Sequence, residues 1–214
     1  MTPAETERLI QHFQTLPGPG RRGAPGPEGW RRGDHQLDQM PVPTGALRPA
    51  AVLVPILLKE ESGPTLLLTR RNANLRDHAG QVSFPGGRME PDDASPEATA
   101  LREAEEEIDL KPQSVRTIGR LDTYVTGTSY EVVPVVGLVT PPLTLKIDPI
   151  EVEEVFEVPL AFFLRQENRQ LMSREYNGRR RHFYAYPFGN YFIWGATAGM
   201  LNNLAEVLST LELA

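Results

Sequence analysis

The chain has 214 residues, 40% of them hydrophobic and 23% charged, enough apolar matter for one sizeable core in an ordinary globular protein. It has no cysteine, which excludes disulfides and thiol catalysis, and its net charge of −6 argues against nucleic-acid binding that rests on neutralising phosphates. No apolar run approaches the roughly 20 residues that span a bilayer, and the first residues lack a charged-then-apolar signal segment.

In chain order, residues 5–16 predict a short helix with Leu9, Ile10, Phe13 and Leu16 on one face. Residues 17–29 (PGPGRRGAPGPEG) read as a Pro/Gly connector. The core begins near Pro49, so an N-terminal helix and connector occupy 1–48 and a single domain 49–214. Residues 50–58 form a mostly apolar strand, paired with 65–71 across Ser62-Gly63-Pro64. A helix over the run that contains Arg102 to Glu107 comes next. Residues 115–125 and 132–139 predict further strands, and 145–157 carries another. Residues 159–166 predict a short helix with Leu160, Phe163 and Leu164 inward, and 170–176 with 181–186 a hairpin over Asn177-Gly178. A terminal helix covers 196–213, with Met200, Leu201, Leu204, Val207, Leu208 and Leu211 as its apolar positions. Strands alternating with helices point to an α/β fold with a mixed sheet between helices.

The most informative stretch runs from Gly86 to Leu110, where a glycine turn precedes a helix carrying Arg-Glu-Ala-Glu-Glu-Glu. On a helix Glu103, Glu106 and Glu107 fall within an arc of roughly 100°, while Leu101, Ala104 and Ile108 take the flank that can bury. Like charges at i, i+4 destabilise a helix by roughly 0.2–0.5 kcal/mol per pair. A hard, oxygen-rich anionic face suits Mg²⁺ or Mn²⁺. Upstream, Arg70, Arg71 and Arg76 bring guanidinium forks, which suit phosphate oxygens, to a segment that runs into the glycine turn.

The residues from Gly87 through Arg102-Glu103 and Glu106-Glu107 to Leu110 resemble the Nudix box of hydrolases that cleave nucleoside diphosphates linked to another group. Three places depart from the strict pattern. Gly87 to Arg102 is one residue longer, Asp93 stands nearest the early glutamate, and Asp109 replaces the late glycine. The upstream run, with Leu67-Leu68-Thr69, Arg71, Arg76, His78, Gly80, Val82 and Phe84-Pro85-Gly86-Gly87, is similar to the second signature of a Nudix subgroup that hydrolyses coenzyme A. Trp194-Gly195-Ala196-Thr197-Ala198 also looks like that subgroup. The joint resemblance covers roughly residues 49–204 and implies an α/β/α sandwich with a mixed central sheet, here with an extra N-terminal helix and a C-terminal helix.

The resemblance further implies that Glu103 and Glu107 are the main metal ligands, with Glu106 and the Gly86 carbonyl as others. It implies that Arg102 orients these glutamates by a salt bridge. Arg70, Arg71, Arg76 and His78 are the substrate-binding candidates, although a loop histidine such as His78 also serves as a structural hydrogen-bond donor. The general base is either Glu103 or a glutamate of the distal run, Glu151, Glu153 or Glu154, with Glu157 following. Tyr124, Tyr130 and Tyr191 are candidates to stack on an adenine, and Trp194 reads as core.

The reading is a cytoplasmic, Mg²⁺- or Mn²⁺-dependent pyrophosphatase that cleaves coenzyme A, or its oxidised or acylated forms, to 3′,5′-ADP and 4′-phosphopantetheine. Its partner is that small-molecule substrate, with no nucleic acid and no membrane; the oligomeric state stays open. A Nudix hydrolase of NADH or ADP-ribose is one alternative, and a non-catalytic nucleotide-sensing module on the same fold is another.

Overall fold

Alternation of period two runs through the central strands and buries both of their faces. In residues 50–57, Ala50, Val54 and Ile56 join one apolar cluster, while Ala51, Leu53 and Leu57 join another. Leu66 and Leu68 are likewise separated from Leu67, and Val136 and Leu138 from Val135 and Val139. A strand whose two faces are both apolar needs cover on each side, which is what layers of helix and sheet provide.

The computed structural model describes residues 1–15, 31–41, 45–59, 62–176 and 178–211. The connector at 17–29, Leu16, Asn177 and the end of the predicted last helix at 212–213 lie outside the described residues. The elements are α1 (Pro3–Thr15), β1 (Arg31–Arg32), β2 (Arg48–Leu57), β3 (Thr65–Arg71), β4 (Val82–Ser83), β5 (Gly86–Arg88) and α2 (Pro96–Ile108). They continue with β6 (Val115–Arg120), β7 (Thr123–Val125), β8 (Tyr130–Val139), β9 (Val152–Pro159) and α3 (Leu160–Leu164). The chain ends with β10 (Gln170–Tyr176), β11 (Arg179–Phe188), β12 (Tyr191–Trp194) and α4 (Ala196–Ser209).

The main sheet runs β1-β7-β8-β2-β3-β4, with β5 also on β2, β6 on β8 and β9 on β3. It is mixed: β2 lies parallel to β8 from Arg48↔Tyr130 to Leu57↔Val139, and antiparallel to β3 at Ile56↔Leu66 and Leu57↔Thr65. Helix α2 covers one face through Ala100, Ala104 and Ile108. The other face carries α1, through Leu9, Ile10 and Phe13, together with α3, α4 and Tyr186 and Ile193 of a second sheet, β10-β11-β12. The architecture is thus α/β, with the N-terminal helix sharing the core of the domain. No helix among the described residues is long and apolar enough to cross a membrane.

Four expectations need correction. The strand predicted at 115–125 is two strands, because the chain turns at Leu121 and Asp122, where Leu121 N–H bonds Pro134 O and the Asp122 carboxylate takes Arg32 at 2.7 Å. The strand predicted at 145–157 begins only at Val152. Before it, the chain wraps the end of α2, with Lys146 N–H donating to Ile108 O (3.1 Å) and Asp148 N–H to Glu107 O (2.9 Å), so it satisfies helix carbonyls that would otherwise be left bare. Leu164 was expected inward but is 38% exposed at the last turn of α3. Strand β12 has no counterpart among the predicted elements; it is held by pairing with β11, from Ala185↔Trp194 to Phe188↔Tyr191.

Candidate active site

Helix α2 starts where local chemistry says it should. Ser95 accepts a hydrogen bond from Ala98 N–H (3.3 Å) and Pro96 takes the first helical position. Asp109 ends the helix at φ 58°, ψ 26°, the left-handed cap usually given to glycine, and its N–H bonds the Ala104 and Glu105 carbonyls. Replacement of the expected glycine by aspartate therefore leaves the helix end intact.

The glycine turn lies against this helix with no room to spare. A Cβ on Gly86 (φ +154°) would stand 2.4 Å from Ala51 O, and one on Gly87 would stand 2.5 Å from the Glu103 carboxylate. Gly86 N–H donates to Glu107 Oε2 at 3.2 Å. Backbone and carboxylates thus meet at a distance that only glycine permits.

Glu107 is 3% exposed. Burial pushes its carboxyl up to about 8, helped by Glu151 and Glu103 and opposed by Arg71 and the Gly86 N–H. Glu103 is also pushed upward, first by burial, against Arg102, with Glu106 and Glu151 adding repulsion. These carboxylates share one field. Glu106 stands at its rim, with a side chain 60% exposed and 3.0 Å from Arg102.

Arg102 is engaged by protein groups on every side. It reaches Asp93 (2.9 Å), Glu103 (2.9 Å), Glu106 (3.0 Å) and the Arg88 carbonyl (3.1 Å). Asp93 is held well below the usual carboxylate range, chiefly by the Arg102 hydrogen bonds. The residue nearest the pattern's early glutamate therefore anchors Arg102, and Arg102 in turn orients Glu103.

The arginines that are close in sequence are not brought together. A bulge at Arg70/Arg71 breaks the β3–β9 register, and successive strand residues face opposite ways. Arg71 Nη1 stands 3.5 Å from Glu107 Oε1. Arg70 pairs instead with Glu154 (2.9 Å) and Glu153 (3.4 Å), its Nε buried without a partner. Arg76 is exposed in the loop that follows, as is His78, which hydrogen-bonds Gln81 through Nδ1 at 2.8 Å.

The distal glutamates separate as clearly. Glu157 pairs with Lys59 (2.6 Å) and lies opposite Leu67, toward the start of β3. Glu154 is occupied by Arg70 and by Tyr191 O–H at 2.6 Å. Glu151 is exposed and is the distal glutamate whose charge acts on both Glu103 and Glu107. Its carbonyl accepts from Asn72 N–H (2.9 Å), and Asn72 Nδ2 donates to Pro149 O (2.6 Å), so the residue after Arg71 ties this loop to the end of β3. Sequence reasoning passed over Asn72; its place directly after a strand was the available signal.

Of the tyrosines, Tyr124 is buried and bonded to Asp34 (2.6 Å), which removes it as a stacking surface. Tyr130 sits under Arg48 (4.0 Å), and Tyr191 already stacks on Phe156 at 3.6 Å. Trp194 meets Phe183 edge to face at 5.3 Å.

A divalent cation fits these residues. Glu103, Glu106, Glu107 and the backbone turn at Gly86 offer hard oxygen donors, and the most buried of them carries excess negative surroundings. Among the described residues, no three acidic or histidine side chains already form a cation cage.

Residues 47–185 match the NUDIX domain family. A protein of Photorhabdus laumondii named uncharacterized Nudix hydrolase NudL is 45% identical over 172 residues, covering 78% of this chain and 91% of its own length. The protein of the same name in Escherichia coli K12 is 44% identical over 158 residues, covering 74% of this chain and 81% of itself. Among solved structures, a Nudix hydrolase from M. Smegmatis, RenU, covers 80% of this chain and 91% of its own, with a TM-score of 0.51 at 19% identity, a likeness of fold.

Proposed function

The chain belongs to the Nudix hydrolase family, and from that premise we propose that it cleaves the diphosphate linkage of coenzyme A or its derivatives. Water adds its oxygen to one phosphorus as the P–O–P bridge breaks, leaving 3′,5′-ADP and 4′-phosphopantetheine. Glu103, Glu107 and the Gly86 carbonyl would hold the divalent ion, Mg²⁺ or Mn²⁺, with Glu106 at the rim. That ion supplies charge screening for the diphosphate and a lowered pKa for water.

The chain's own residues do the rest. Glu151 takes the proton of the attacking water: it is exposed, it faces the field of Glu103 and Glu107, and no ion pair occupies it among the described residues. Glu154 is a weaker candidate, because Arg70 and Tyr191 already use its oxygens. Arg102 holds Glu103 in place, and Arg71 meets a substrate phosphate. Arg76 and His78, exposed in the loop between β3 and β4, remain available to the nucleotide. The absence of cysteine fits action in a reducing cytoplasm.

The observation that carries the choice of coenzyme A is the segment from Leu67 to Gly87. It matches the subgroup signature, and it is also the segment that delivers Arg71 and the glycine turn to Glu107 and Glu103. A metal-dependent hydrolysis panel of coenzyme A, NADH, ADP-ribose and nucleoside triphosphates, with products resolved by chromatography, tests it. Release of 3′,5′-ADP from coenzyme A is the expected result. Cleavage of NADH or ADP-ribose with coenzyme A untouched overturns the substrate, and binding without cleavage of any would make the protein a sensor.

A further inference from the structure

Arg71 and Glu107 form an ion pair with unlike halves. Glu107 is 3% exposed, with Glu103 and Glu151 as like-charged neighbours. A buried carboxylate stays charged only beside an opposite charge or a set of donors. Gly86 supplies one N–H, and among the described residues Arg71 is the side-chain cation paired with Glu107. Arg71 keeps 24% of its side-chain surface and pairs with no second acid among those residues. Its backbone is pinned, with N–H to Gln81 O (3.0 Å) and its carbonyl accepting from Gly80 N–H (3.2 Å), so the side chain can turn while the strand stays. The neighbouring arginines differ: Arg102 is shared among Asp93, Glu103 and Glu106, and Arg70 is held by Glu153 and Glu154.

We propose that Arg71 is a stand-in cation, which pairs with Glu107 while no divalent ion is bound and yields that carboxylate when one binds, freeing its guanidinium for an anionic group of the substrate. This rests on the assignment of Glu107 to the metal. Two cations compete for one carboxylate, so metal and Arg71 are antagonists at Glu107 and allies toward a phosphate. The coupling is reciprocal: an anion that draws Arg71 away from Glu107 tightens the metal by the factor with which the metal tightens the anion.

The test needs no turnover. Mn²⁺ alone is titrated calorimetrically into the parent, Arg71→Met, Arg71→Lys and Arg70→Met, and each is melted with and without Mn²⁺. Arg71→Met keeps the aliphatic stem and removes the competitor, so its Mn²⁺ affinity rises by roughly tenfold, the scale of one unit charge at partly screened range. Arg71→Lys stays near the parent, and Arg70→Met changes by less than about twofold, since its charge is already spent on Glu153 and Glu154. Metal-free Arg71→Met melts lower than the parent, and saturating Mn²⁺ closes the gap. Unchanged or weaker Mn²⁺ affinity in Arg71→Met overturns the proposal, because a residue that merely positions Glu107 for the ion would lower affinity when lost. An equal gain in Arg70→Met overturns it too, by reducing the effect to overall charge. If Arg71→Met does not fold even with Mn²⁺, Arg71→Gln is read by the same criterion. A parent that binds no Mn²⁺ defeats the metal assignment itself, and neither result depends on whether coenzyme A is the substrate.

Discussion

Arg70 and Arg71 are adjacent in sequence and serve opposite faces of the sheet. On one face Arg70 is shared between Glu153 and Glu154, and Tyr191 O–H donates to Glu154, so both acids already have protein partners. On the other, Arg71 faces a buried glutamate with two more carboxylates in its field and meets it only at 3.5 Å. The two clusters hold similar residues. In the first each acid is held by a protein partner, whereas in the second three carboxylates crowd round Arg71, and the proposed cation site rests on that crowding.

The largest expected contrast sets Glu151 against the other distal glutamates. Glu151→Gln should lower the single-turnover rate by roughly 10²–10⁴-fold with metal affinity nearly unchanged. Glu153→Gln, Glu154→Gln and Glu157→Gln should be mild. If Glu154→Gln is the damaging one, the Arg70 face is the catalytic one and the comparison is reversed. If all four are mild, Glu103 carries both metal and proton duties.

Next come the helix carboxylates. Glu103→Gln and Glu107→Gln should each reduce turnover by at least roughly 10²-fold, the scale of losing a main electrostatic group, while the fold survives. Near-parental turnover of both at saturating Mg²⁺ would remove the argument from crowding.

A smaller effect should follow from substrate contacts. Arg71→Ala should weaken coenzyme A binding by about 1.5–3 kcal/mol, the range for a hydrogen bond to a charged group. Arg70→Ala should leave it near the parent, and Arg76→Ala should report on the loop that carries it. Equal losses at Arg70 and Arg71 in binding assays would mean that the two faces are not separate.

The pH dependence of the metal-free protein sharpens the same contrast. Burial pushes the Glu107 carboxyl up to about 8 in the folded chain, from an ordinary value of about 4.5. The unfolded chain therefore releases this proton first as pH rises. Metal-free stability should fall between about pH 4.5 and about pH 8, with the penalty complete above that window. Thermal melts in a chelating buffer should show the slope for the parent and a flatter profile for Glu107→Gln. Asp93, on the structural side of Arg102, has the opposite sign. Its depressed value means stability that is present above the ordinary 3.8 and is lost as pH falls below it.

Much of this protein is local enough to be written in its sequence. The α2 helix has its buried flank of Ala104 and Ile108 and its row of glutamates within one short run. The β2–β3 pairing and the β10–β11 hairpin are legible for the same reason, because each depends on neighbours a few residues away. What the tertiary structure alone decided is which distant groups meet. The parallel alignment of β2 with β8 and the wrapping of residues 143–151 around the end of α2 depend on where long connections come back. The same holds within the site. Alternation along β3 sends two identical side chains to different partners, and the hold of Asn72 on the loop before β9 brings Glu151, rather than Glu154, into the field of Glu103 and Glu107. Side-chain chemistry is a property of the residue, but a carboxylate's role depends on the charges and solvent around it, and those are supplied by parts of the chain that the sequence does not place side by side.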